Sequence, residues 1–209
     1  MIVQQRVIAY IDGFNLYFGL KSKGWQRYYW LNLRRLIERL LKPRQRLVAV
    51  KYFTARVAGT PSNPDKPRRQ SAYLDALQTL PDLRVFYGHY LLRTQKCRAC
   101  GMEAQIPTEK MTDVKIAVEL LADAFQNSFD VAMIVSADSD LVPPVGTVRR
   151  LFPGKSVIVA FPPNRSSVEL RKVAAACFTI GRKKLADSQF PDRLRTASGY
   201  DIVRPEAWR

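Results

Sequence analysis

Two apolar runs in this chain end directly in carboxylates. Val131–Asp140 reads VAMIVSADSD, five apolar residues followed at once by a small polar turn that carries Asp138 and Asp140. Arg6–Ile11 runs in the same way into Asp12-Gly13-Phe14-Asn15. A further acid, Asp113, sits just after Thr112 at the head of a helical pattern. Oxygen-only ligands of this kind suit Mg²⁺ or Mn²⁺, and a cation held between carboxylates and a phosphate supports phosphodiester hydrolysis. Each acid also has a plain local explanation, because Asp and Asn cap helices and open turns. The chain has one histidine, so a pair of imidazoles for metal-free RNA cleavage does not exist here.

If Asp12, Asp113, Asp138 and Asp140 met, repulsion would be substantial. Two unit charges ~4 Å apart cost about 4 kcal/mol at an effective dielectric of ~20. A positive ion must then sit among them, or some must be protonated.

The elements that would position these acids follow from periodicity. Val131–Val135, β-branched at three of its five positions, suits a strand buried on both faces of a parallel sheet, and the crevice outside such strand ends is where α/β sheets bind ligands. Leu141–Phe152 has helical spacing, with Pro143 and Pro144 tolerable in a first turn and Asp138 or Ser139 available as a cap. Thr112–Asn127 is expected to be a helix capped by Thr112, its apolar face formed by Val114, Ala117, Val118, Leu121 and Phe125. Glu119 falls off the line from Asp113 into the crevice. Leu16–Leu20 opens a short helix, in which Tyr17 and Phe18 suit the core or a stacking surface. Further helices are expected over Tyr28–Leu41, with Asn32 near a cap, and over Ser71–Leu80 and Val168–Ala176. Further strands are expected over Leu47–Thr54, Leu83–Leu92 and Ser156–Phe161, with a short edge strand at Phe178–Ile180. Strands thus alternate with helices, and the economical fold is an α/β, three-layer α/β/α sandwich with a mainly parallel central sheet.

Charge narrows the partner. Lys and Arg number 34 against 18 Asp and Glu, a net +16, which implies a polyanion, nucleic acid first. The loop Ala55–Gln70, with Gly59 and three prolines, lies at the Asp12 end of the sheet and carries Arg68 and Arg69 as candidate backbone contacts. Asn164 and Arg165, after the Ser156–Phe161 strand, could hold a phosphate at a helix N-terminus. Arg182-Lys183-Lys184 opens a polar tail that Trp208 could dock back onto the body. No run reaches the ~18 apolar residues of a membrane span, and the start is too short and too soon acidic for a signal peptide; a cytoplasmic protein without membrane contact is expected. Cys97 and Cys100 form a CxxCG knuckle, half of a Zn²⁺ site that His89, Cys177 or a second copy of the chain, as a homodimer, would have to complete. The odd count of 3 cysteines argues against a disulfide framework.

IDGFN at Ile11–Asn15, TDVKIAVELL at Thr112–Leu121 and SADSDLVPPV at Ser136–Val145, in this order, resemble the bacterial branch of the NYN domain family within the PIN-like nuclease superfamily. The likeness runs from about Val7 to Ile180 and includes the YFTA-like stretch Tyr52–Ala55. It implies a PIN-like domain over residues 1–181 with a CxxC-containing insertion near 93–110, followed by a basic tail over 182–209. It implies a metal-dependent ribonuclease acting on RNA, with Asp12, Asp113, Asp138 and Asp140 as metal ligands and Asn15 and Ser136 in support. Ala137 stands where many relatives have Gly, and Glu119 where others have Asp; neither removes a required carboxylate. The alternative is a non-catalytic RNA-binding or regulatory module with a structural ion. A small-molecule phosphatase is disfavoured, since no D-x-D-x-T pattern is present.

Overall fold

The computed structural model describes residues 4–96, 100–196 and 198–209. In chain order the main elements are β1 (Gln5–Asp12), α1 (Gly13–Ser22), α2 (Leu33–Leu40), β2 (Gln45–Ala55), α3 (Lys66–Gln78), β3 (Leu83–Lys96) and β4 (Glu103–Lys110). They continue with α4 (Thr112–Phe125), β5 (Val131–Val135), α5 (Val142–Leu151), β6 (Ser156–Phe161), α6 (Val168–Val173), β7 (Ala176–Thr179), α7 (Arg182–Ala186), β8 (Arg193–Arg195) and β9 (Asp201–Val203).

Seven strands form one sheet in the order β4-β3-β2-β1-β5-β6-β7. All neighbours are parallel except β3 and β4, which form an antiparallel hairpin. The order runs outward in both directions from the β1–β5 pair, so the chain reverses its winding between these two strands. In an open α/β sheet this switch point leaves a crevice beyond the strand ends. Asp12 closes β1 and Ser136 follows β5 there.

Alternation along β1 builds the two outer layers. Val7, Ala9 and Ile11 join Leu16, Leu36, Ile37, Leu74 and Leu77 in one core beneath α1, α2 and α3. Ile8 and Tyr10 join Ile116, Leu120, Val145, Val148 and Leu170 in the other, beneath α4, α5 and α6. Val131–Val135 is buried at every position, as a strand covered on both faces must be. The expected three-layer α/β/α sandwich is the fold.

Several boundaries differ from the expectation. The span Tyr28–Leu41 is a 3₁₀ turn over Gln26–Tyr28 and then α2, separated because the Asn32 side chain accepts from Arg35 N–H and starts the helix anew. α3 begins at Lys66 rather than Ser71, since Pro67 occupies a first-turn position where its missing N–H costs nothing. Thr112 is the first residue of α4 and not its cap. The stripe expected to face the core is the outer one: Val114, Val118 and Phe125 are exposed. α4 instead packs through Ile116, Leu120 and Ala124, with Asp123 buried among them.

The described residues after Gly181 fold back on the body. Trp30 Nε1 donates to the Pro191 carbonyl at 2.9 Å, Lys184 Nζ to the Arg39 carbonyl at 2.6 Å, and Trp208 packs against Tyr29, Trp30 and Tyr73. Among the described residues no helix is long and apolar enough to cross a membrane.

Candidate metal centre

Asp12 shares the sheet face of Ile8 and Tyr10, so its side chain turns toward the α4 layer. Both of its oxygens are held. One accepts from the Asn15 N–H at 2.9 Å, which caps α1, and the other from Ser136 Oγ at 2.9 Å. Ser136 Oγ in turn accepts from the Asp138 N–H at 3.1 Å, and Asn15 Oδ1 accepts from the Ala137 N–H at 3.1 Å. These bonds lace the end of β1 to the end of β5. Gly13 makes the lacing possible: a Cβ there would lie 2.6 Å from the Tyr52 hydroxyl and 2.7 Å from the Phe53 carbonyl.

Asp138 follows β5 and caps the 3₁₀ turn Ser139–Leu141 by accepting from the Asp140 N–H at 3.0 Å. That cap fixes its carboxylate without using every lone pair. Asp113 arrives from the first turn of α4. The residue before that helix, Met111, has φ 76°, the left-handed region that costs a residue with a Cβ about 1 kcal/mol. Carboxylate oxygens of Asp12, Asp113 and Asp138 all lie within 4.8 Å of one another. They line a pocket of about 180 Å³ together with Phe14, Asn15, Phe18, Thr112 and Arg165.

The electrostatics are those of a cation site. Burial drives the Asp12 carboxyl up to about 6, and the charge of Asp138 adds to this, against the opposing hydrogen bonds from Asn15, Ser136 and Phe14. Three carboxylate oxygens within 4.8 Å of one another are close enough to converge on one ion. The donor set is all oxygen, and the residues fit Mg²⁺ or Mn²⁺.

The other expected residues divide. Asn15 and Ser136 are buried and brace the carboxylates. Arg165 lines the pocket with its guanidinium 5.9 Å from the centre of the Phe18 ring. Asp140 is exposed and stands outside the three-carboxylate group. Asn164, with φ 58°, donates to Ser22 Oγ at 3.3 Å and tethers its loop to α1. Arg69 bonds Asn63 beside a second cavity, whereas Arg68 is exposed and does not line it. Glu119 is drawn away from the acidic pocket by Lys51, at 2.6 Å. Cys97 lies outside the described residues; Cys100 is exposed, and Cys177 belongs to β7 at the opposite edge of the sheet from the β3–β4 hairpin. Phe14 and Thr112 were not among the expected site residues, and Phe18 was expected only as core or a stacking surface. The signal for pairing Phe14 with Phe18 was their i, i+4 spacing directly after Asp12.

A family model described as the NYN domain matches residues 6–181. The chain belongs to the NYN domain family. This gives it a nuclease-like, PIN-like fold, and the acid cluster lies inside the matched span. A curated relative, 6-hydroxy-3-succinoylpyridine 3-monooxygenase HspA of Pseudomonas putida, is 29% identical over 175 residues, covering 69% of this chain and 55% of that protein. The NYN chain thus spans about half the length of that relative. Among solved structures, a protein of unknown function from Vibrio parahaemolyticus superposes with a TM-score of 0.57 at 18% identity, covering 87% of this chain and 96% of the other. That likeness concerns the fold alone.

Proposed function

We propose that the protein is a metal-dependent endoribonuclease that hydrolyses RNA phosphodiester bonds, acting on RNA in the cytoplasm. The observation that carries this reading is the convergence of Asp12, Asp113 and Asp138 within 4.8 Å at a pocket that also holds Arg165. Acid alone would repel a phosphate. Set into a chain of net charge +16, it repels only until a cation is bound.

Ser136 and Asn15 hold Asp12 in one orientation, so the carboxylates need no reorganisation when substrate arrives. Arg165, stacked on Phe18, offers a planar guanidinium to a non-bridging phosphate oxygen. Asp138 is fixed by its own cap, and its remaining lone pairs face the pocket it lines. Mg²⁺ or Mn²⁺ on these acids would supply an activated water and neutralise charge developing on the phosphate. Hydrolysis then forms one P–O bond to the water oxygen and breaks one ester P–O bond, the leaving oxygen taking up a proton. Asp140, exposed two residues after Asp138, would orient an outer ligand or the incoming strand.

The test is incubation of the purified protein with end-labelled single-stranded RNA in Mn²⁺, Mg²⁺ or EDTA, beside the Asp138→Asn variant. The expected result is cleavage that needs the ion and falls to background in the variant. RNA that is bound yet stays whole under every ion would replace this reading with a binding module.

A further inference from the structure

A second cavity, of about 340 Å³, opens on the other side of the α1 residues that border the acidic pocket. Phe14 and Phe18 line both spaces and form the ridge between them. Phe18 is 44% exposed, so the ridge is open to solvent along its crest. The two cavities are neighbours along one surface path.

The larger one has the chemistry of an aromatic anion site. Its walls include Tyr17, whose ring lies 5.0 Å from that of Tyr29, and Tyr29 stands edge-on to Trp208 at 5.7 Å. Lys21, Lys66 and Arg69 reach it from α1 and α3, and no Asp or Glu lines it. Neither lysine is paired with a carboxylate among the described residues. A cluster of three cations without a facing carboxylate, beside tilted and edge-on aromatic rings, favours a flat ring that carries negative charge nearby. The volume falls in the range of small-ligand sites, about 300–1,000 Å³. Trp208 arrives from the far end of the chain and, with Ala207, completes the wall.

We infer that this cavity receives one unpaired nucleobase of the RNA strand, with Lys21, Lys66 and Arg69 holding the adjoining phosphate, a step that rests on the ribonuclease reading. A base that enters it places the neighbouring phosphodiester over the Phe14–Phe18 ridge, next to Asp12 and Arg165. A base paired in a duplex cannot enter, which makes the site a selector for single-stranded or locally opened RNA.

The experiment walks a single abasic ribose along a short single-stranded RNA and measures affinity for the full chain in EDTA, with cleavage in Mn²⁺ followed separately. Affinity is expected to drop about tenfold when the abasic unit falls at one position, and little elsewhere. In Tyr29→Ala this drop disappears because the native RNA already binds as weakly as the abasic one. Lys66→Glu, at a half-buried surface position, weakens binding of every RNA and lowers the salt slope by about one, and thermal melts check that both variants fold. A flat abasic scan from a protein that binds and cleaves RNA overturns the base site and leaves the nuclease reading intact. A peaked scan without cleavage under any ion supports the base site and removes the nuclease reading. No RNA binding at all removes both.

Discussion

Lys51 of β2 places its ammonium 2.6 Å from the Asp123 carboxylate of α4. The two groups are nearly buried, at 9% and 10% side-chain exposure. Tyr10 donates to the same carboxylate at 2.5 Å, and Glu119 takes a second contact from Lys51 at 2.6 Å. Buried charge of this kind stabilises little in sum but is costly to break, because the partner left behind has no water. Lys51→Met is therefore expected to destabilise the fold by about 3–5 kcal/mol, a fall in Tm on the order of 10 °C for a chain of this size. Adding Asp123→Leu to that variant should recover part of the loss. Urea melts of the three proteins check this. An unchanged Lys51→Met midpoint would show that the network is solvated in solution.

Gly13 is packed on one side by a side chain that can yield and on the other by a backbone that cannot. The Phe53 carbonyl, 2.7 Å from the position of an added Cβ, belongs to the strand residue paired with Asp12. Gly13→Ala must push α1 away from β2, at a cost of about 1–3 kcal/mol. The same push displaces Asp12 from its bonds to Asn15 and Ser136, and misplacement by about 1 Å can cost 10²-fold in rate. The variant should melt a few degrees lower yet lose most of its RNA cleavage, read from single-turnover assays on the folded protein.

The buried strands and the two acids at their ends, Asp12 and Asp138, were legible in the chain for the same reason. Val131–Val135 and Ser156–Phe161 have the bounds expected from sequence, because strands covered on both faces are apolar throughout and stop where the polar turn begins. The helix α4 was legible in extent but read with its faces reversed. Its inner face carries Asp123 beside Ile116 and Leu120, and a buried acid neutralised by a lysine from another strand cannot be recognised by hydrophobic periodicity. β4 escaped notice because EAQIPTEK is polar and holds Pro107, which an edge strand tolerates and a central one does not. The aromatic cavity was hidden for a different reason: Tyr17, Tyr29 and Trp208 become neighbours only after the C-terminal segment has folded back.

Asp140 tests how far the motif alone can be trusted. It follows Asp138 by two residues, but the intervening 3₁₀ turn carries it round to the exposed side. Asp138→Asn should abolish cleavage, because it removes one of three converging carboxylates. Asp140→Asn should lower it by about 10–100-fold, the scale of a group that acts through an outer ligand, and should weaken metal binding less than Asp138→Asn does. Calorimetric titration of Mn²⁺ into both variants separates the two acids. Equal loss of metal binding would place Asp140 among the ligands.

Asp12 couples the site to stability. Its carboxyl is raised from 3.8 to about 6, chiefly by burial, so in metal-free protein the folded state binds the proton more tightly than the unfolded chain. Stability from this group is thus fully present below pH ~4 and is lost as pH rises through about 6. A shift of roughly two units corresponds to at most about 3 kcal/mol. Asp12→Asn removes the charge that must otherwise be buried. In EDTA it should raise Tm at pH 7.5 by several degrees and leave it unchanged at pH 4, while abolishing cleavage. Mn²⁺ should raise the Tm of the wild-type protein at pH 7.5 and do so progressively less as pH falls below 6, where protons compete for the same oxygens. A Tm difference between variant and wild type that stayed constant from pH 4 to 7.5 in EDTA would show that Asp12 titrates normally, and the buried-acid account of the site would then fail.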